Sequence, residues 1–277
     1  MNFMVAFFFF TASVHAGISG QDNRQETRGR NVSTQLRELS FSVPAIVEKK
    51  SLIPVTGGFR PEGYTLQQMN YCSGIRFSGQ NYLARCSASL IGEDLVLTAA
   101  HCVDEDLKKW CSEYSVVFDY AVGADEKHIH KENVFGCKEV LYRKFDEPFG
   151  EDLALIRLER KSDRRPIIVS SDTLQVKEEL TMIGYPMGLP QKAVDDGHVL
   201  ENGSLKYSFR HNLDTFSSNS GGPVFNQSGE QVGVLVRGTG PNFADVPGKK
   251  CSDWGIDSAR DYAEANTLLH LKDIHPK

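Results

Sequence analysis

Apolar residues recur along this chain in short runs that alternate with polar positions and stop at glycine, proline or a charged turn. Between residues 56 and 158 such runs are Gly74–Phe77, Cys86–Ile91, Asp94–Thr98, Ser115–Phe118 and Leu153–Ile156. A second set, within residues 166 to 255, comprises Pro166–Val169, Leu180–Gly184, Leu205–Phe209, Pro223–Phe225 and Gln231–Val236. Many short strands at close spacing with Gly/Pro turns predict an all-β sandwich or barrel. The stretch between the sets, Arg157–Arg165, mixes charges and reads as a solvated linker joining two β units. The tail from Asp257 to Leu271 places Ala259, Tyr262, Ala263, Leu268 and Leu269 at helical spacing and predicts a C-terminal helix.

The N-terminal part follows neither pattern. Residues 1–16 carry an apolar run over Met4–Phe10 and end in Val14-His15-Ala16, the small-x-Ala form of a signal-peptidase site, although no Lys or Arg precedes the run. A membrane anchor needs about 18 or more apolar residues, and this run is shorter. Residues 17–55 open polar and aperiodic and are expected to be a disordered leader or surface arm, or a pro-segment with Lys49-Lys50 as a natural processing point. The division that follows is signal peptide 1–16, leader 17–55, first β unit 56–160 and second β unit 161–277.

Composition narrows the function classes. The 277 residues are 40% hydrophobic and 24% charged, ordinary for a globular protein with ample core. A net charge of -5 gives no reason to expect nucleic acid as a partner. Six cysteines form no Cys-x-x-Cys pair, so in an exported chain they are expected in disulfides rather than in zinc or redox motifs. His128 and His130, near Asp125 and Glu126, alternate as on a strand face and lack a fourth ligand, so no metal or other cofactor is implied. His198, His211, His270 and His275 have no partner pattern and are read as surface or loop residues.

Three motifs carry chemistry. Asp214-Thr215-Phe216-Ser217-Ser218-Asn219-Ser220-Gly221-Gly222-Pro223 places a serine on a tight loop that feeds a strand, where backbone N–H groups can converge. Leu97-Thr98-Ala99-Ala100-His101-Cys102 ends a strand on a histidine. Glu151-Asp152-Leu153-Ala154-Leu155-Ile156 opens an apolar strand on an aspartate. A nucleophilic serine needs a base beside its hydroxyl and an acid that orients the base. Ser220, His101 and Asp152 supply these types. A lipase-type Gly-x-Ser-x-Gly elbow is absent, since Ser218 stands two before Ser220 and a strand follows.

In these motifs and their order the sequence resembles the trypsin/chymotrypsin-like serine peptidases over residues 55–255, and is most similar to the secreted bacterial branch that includes glutamyl endopeptidases. Asn219 stands where animal trypsins carry aspartate, and Ile183–Pro190 and Asn212–Phe216 also look like that branch. The resemblance implies two antiparallel six-stranded β-barrels with His101, Asp152 and Ser220 in the cleft between them. It further implies an oxyanion hole from the N–H groups of Ser218 and Ser220, a substrate-pairing edge at Val236-Arg237-Gly238, and a disulfide between Cys86 and Cys102. Cys111–Cys137 and Cys72–Cys251 are conjectures for cysteines that the resemblance does not assign.

Several positions depart from the family pattern. Ser218 replaces the usual glycine, and a Cβ there restricts the peptide that aims an oxyanion donor. Asn219 removes the usual ion pair to a freed amine, so activation of a zymogen by cleavage needs other contacts. Asp214, six positions before Ser220, stands where trypsin-type enzymes bind a basic P1 side chain, the residue on the acyl side of the cut bond; a structural role fits equally. Leu235 occupies the position where a glutamyl preference would want histidine. The expectation is a secreted or periplasmic serine endopeptidase acting on protein or peptide substrates, with a basic P1 preference as one option. Its competitor is a catalytically silent homologue acting as a binding or regulatory protein. The sequence does not address oligomeric state.

Overall fold

The computed structural model describes residues 17–124, 126–146, 150–170, 172–205, 207–238, 243–254, 256–257, 262–268 and 271. The expected signal peptide, Asp125, His270 and His275 lie outside them. Two antiparallel barrel-like sheets dominate, as the resemblance implies.

In the first barrel the strand order runs Cys86–Ser87, Ala45–Glu48, Tyr114–Val117, Val134–Phe145, Asp152–Leu158, Leu95–Thr98 and Ser89–Leu90. The end members are two parts of one run, broken at Ala88, so the sheet closes on itself with six effective strands. In the second, Glu179–Gly184 pairs with both Pro223–Phe225 and Lys192–Leu205, which closes the ring through Gln231–Gly238, Ala263–Thr267 and Ser208–His211. Closure gives most of these strands a partner on both sides. Ile46, Val96, Leu97 and Ile156 belong to the first core, and Leu180, Met182, Val199, Phe209 and Val224 to the second. Val43, Val47, Tyr120, Ile183, Tyr185 and Phe225 form a further core between them. There the Tyr185 hydroxyl donates to the Val43 carbonyl (2.8 Å), and Gln191 Nε2 donates to the same oxygen (2.7 Å). Buried polar groups satisfied in this way fix how the barrels meet.

The leader differs most from expectation. Ala45–Glu48 sits inside the first sheet, paired on both sides, so that barrel starts before residue 56. Thr34–Ser40 is a helix whose Ser33 hydroxyl accepts the Leu36 N–H, and Ile18–Ser19 and Gln25–Glu26 pair with Ile256–Asp257 and Lys192–Ala193. Lys49 and Lys50 lie on the turn after the core strand, where a cut would sever Ala45–Glu48 from the rest of its barrel.

Smaller differences follow the same logic. Gly74–Phe77 is a turn, with Gly74 at φ 94° and Phe77 at φ 65°. Leu205 ends one strand and pairs with Ser208, which opens the next, with Lys206 outside the described residues, and Pro166–Val169 makes one bridge, Val169 to Gln231. Arg164, expected in a solvated linker, is mostly buried and pairs with Asp119 at 2.8 Å. The tail holds a strand over Ala263–Thr267 instead of the expected helix; Leu271 is helical, and its flanking residues are outside the described set. His211 is fully buried rather than at the surface.

All six cysteines pair: Cys86–Cys102, Cys111–Cys137 and Cys72–Cys251. Among the described residues no helix is long and apolar enough to cross a membrane.

Candidate active site

His101 stands on a single helical turn, Ala100–Cys102, that follows the Leu95–Thr98 strand. The Cys86–Cys102 disulfide ties this turn to the neighbouring strand, and Trp110 Nε1 donates to the Cys102 carbonyl at 2.9 Å. Asp152 opens the strand that pairs with Leu95–Thr98, which carries its carboxylate beneath the histidine. Asp152 Oδ2 lies 2.6 Å from His101 Nδ1, and Oδ1 accepts the His101 backbone N–H at 2.9 Å. Two bonds to one residue fix both ring orientation and tautomer: Nδ1 carries the proton and Nε2 keeps its lone pair. Asp152 is buried, while the His101 side chain remains 32% exposed. The carboxylate is thus shielded while the imidazole stays open to solvent.

Ser220 reaches the same place from the other barrel. Its carbonyl accepts the Ser87 N–H at 2.8 Å and lies 3.7 Å from Cys102 Sγ, so the loop rests on the disulfide that holds the histidine turn. The Ser87 hydroxyl donates to the Ser218 carbonyl (2.9 Å) and accepts the Tyr185 N–H (3.0 Å). The Gly221 N–H donates to the Leu235 carbonyl and Leu235 returns its N–H to Gly222. A Cβ on Gly221 would lie 2.0 Å from Thr98 Oγ1 and 2.2 Å from the Ser87 carbonyl, so this approach requires glycine. Ser218 holds φ 70°, the left-handed conformation that glycine adopts without strain. Among the described residues, no acceptor takes the N–H of Ser218 or of Ser220.

Val236, Arg237 and Gly238 end the Gln231–Gly238 strand. Arg237 and Gly238 pair with Glu264 and Ala263 on one side. On the other, the pairing with Pro223–Phe225 stops at Val234. Arg237 Nε is 3.4 Å from buried Glu264, which Arg210 also contacts at 3.1 Å.

Asp214 is placed differently from a free pocket acid. It is 2% exposed, and its Oδ1 and Oδ2 accept the N–H groups of Ser19 (2.8 Å) and Asn23 (3.0 Å). Burial pushes its carboxyl up to about 6, opposed by those two donors.

Four contributors escape sequence reasoning. Asn266 accepts the Asp152 N–H on its Oδ1 at 2.6 Å, bridging barrels at the base of the site. Ser87 ties the serine loop to the histidine side, and Ser19 and Asn23 act through main-chain groups that no side chain advertises. Among the described residues the one ligand-like cluster is Cys86, His101 and Cys102, and its sulfurs are joined to each other. A disulfide offers no thiolate for a metal.

The family model for the trypsin-like peptidase domain matches residues 86–234, which hold His101, Asp152 and Ser220. The chain belongs to the trypsin-like peptidase family. Within that family it is 31% identical over 162 residues to exfoliative toxin A of Staphylococcus aureus. It is 28% identical over 161 residues to the chloroplastic Protease Do-like 2 of Arabidopsis thaliana. These matches cover 52% and 54% of this chain, and 53% and 23% of the two relatives' own lengths. Among solved structures the fold is similar to the VesB protease of Vibrio cholerae (TM-score 0.54, 15% identity, 91% of this chain and 65% of that one). A Glu endopeptidase in complex with MPD gives TM-score 0.54 and 15% identity, over 90% of this chain and 93% of that one. At such identity the likeness speaks for the trypsin-like fold alone.

Proposed function

We propose that this trypsin-like protein is a secreted serine endopeptidase. The observation that carries the reading is the pair of hydrogen bonds between Asp152 and His101, which engages Nδ1 and leaves Nε2 for the Ser220 hydroxyl. His101 takes the Ser220 hydroxyl proton as the oxygen attacks the substrate carbonyl, and Asp152 stabilises the resulting imidazolium. The N–H groups of Ser218 and Ser220 receive the developing oxyanion. His101 then protonates the leaving amine, and water releases the acyl group by the reverse proton path. Val236–Gly238, which runs on past the last residue paired with Pro223–Phe225, suits a substrate that adds itself as a strand. Three disulfides agree with an extracellular or periplasmic setting.

One observation favours a second reading, a catalytically silent binding protein: Ser218 carries a side chain in a conformation costing about 1–2 kcal/mol without glycine. Peptide cleavage by the protein and its Ser220→Ala variant separates the two. The peptidase reading expects cleavage that falls, on substitution, to roughly 10³–10⁴-fold over water, the level left by binding and the oxyanion hole. Equal cleavage by both proteins would remove Ser220 from the mechanism.

A further inference from the structure

The sequence position of Asp214 suggests a pocket acid, yet its surroundings are made by the chain's own N-terminal stretch. Besides the Ser19 and Asn23 N–H bonds to its carboxylate, the Thr215 N–H donates to the Gly17 carbonyl at 3.3 Å. Arg24, with 0% exposure, lies with its guanidinium 4.2 Å from the Phe216 ring and 4.0 Å from the Trp254 ring, and binds Asp22 through two 2.8 Å contacts. Arg76 donates to the carbonyls of Asp22 and Arg24 and pairs with the Asp22 carboxylate at 2.9 Å. Ile18 packs into the cluster that holds Phe216, Trp254 and Leu189. The Cys72–Cys251 bridge staples the two loops on which this stretch rests.

Starting from the reading of Ser220 as nucleophile, we propose that Gly17–Arg24 forms the floor of the specificity pocket. By occupying both oxygens of Asp214 it makes the pocket select an uncharged P1 side chain. A guanidinium or ammonium is bound by an acid with accessible oxygens and an uncompensated charge. Asp214 has each oxygen engaged by a main-chain donor, and the positive Arg24 acts on it. A basic P1 group entering here meets a carboxylate that is buried and already holds a main-chain donor on each oxygen, and leaves its own charge desolvated. The stretch therefore converts a basic-specific position into a neutral one. Loosening it restores the acid.

The probe is benzamidine, a planar amidinium that reports an accessible pocket acid whether or not the protein cleaves peptides. Binding is measured for the protein, for Arg24→Ala and for Asn23→Pro, which deletes one N–H donor; thermal melts establish that each variant is folded. The expected result is weak binding by the parent and at least roughly tenfold tighter binding, about 1.4 kcal/mol, by a folded variant. That gain disappears when Asp214→Asn is added. Parent binding that Asp214→Asn abolishes would overturn the proposal, as would folded variants that bind no better than the parent. Failure of Ser220 to react with an active-site reagent, alongside the expected benzamidine pattern, would instead overturn the peptidase reading and leave the pocket floor standing.

Discussion

Ser218 shows how much one residue's backbone decides. Its φ of 70° is strained for any residue with a Cβ, and the Ser87 hydroxyl holds its carbonyl in place at 2.9 Å. Ser218→Gly removes that strain and is expected to raise stability in urea unfolding by about 1 kcal/mol without loss of Ser220 reactivity. A destabilised Ser218→Gly protein would mean that the serine side chain makes a contact outweighing its strain. At this scale the meeting of His101 with Asp152 was legible because each lies in a contiguous motif whose spacing is local. The partners of Asp214 were not, because Ser19 and Asn23 are 195 and 191 positions away and act through main-chain atoms. No side-chain pattern encodes that contact.

Strands were legible where a short run rich in β-branched or aromatic residues is bounded by turns, as in Leu95–Thr98, Pro223–Phe225 and Gln231–Gly238, even though both their faces are buried. Ala263–Thr267 was not, because Ala, Glu, Ala, Asn and Thr carry little β propensity. The leader was misread because a polar composition says nothing about partners: Arg24 is buried through Asp22 and aromatic faces. Ser208–His211 likewise hides a histidine inside the second barrel, where Nδ1 accepts the Leu213 N–H at 3.3 Å. Burial lowers His211 from 6.5 to about 3. The unfolded chain therefore takes up a proton below pH 6.5 that the folded barrel refuses until about 3. Stability is unaffected by this group above pH 6.5 and falls as pH drops through that window, by about 1.4 kcal/mol per unit at most. Urea midpoints at pH 7 and pH 5 measure it, and His211→Phe should flatten the acid slope whatever its stability at pH 7. An unchanged slope in that variant would assign the acid sensitivity to other groups.

In the whole molecule, two closed barrels each present half of the candidate site, and the contacts joining them pass through the site itself. Ser87 holds the Ser220 loop, and Asn266 holds the Asp152 strand. The two-barrel plan was legible from the rhythm of short strands together with the motif order. How the N-terminal stretch closes the far side was not, because its fit depends on two loops brought together by Cys72–Cys251 across 179 positions. The most direct test of the central claim is labelling by a fluorophosphonate that reacts with activated serines, with the modified residue located by mass spectrometry. One adduct is expected, on Ser220, lost in Ser220→Ala and greatly slowed in Asp152→Asn, where the histidine loses the acid that fixes its tautomer. No adduct on the folded protein, or one on a different serine, would contradict it.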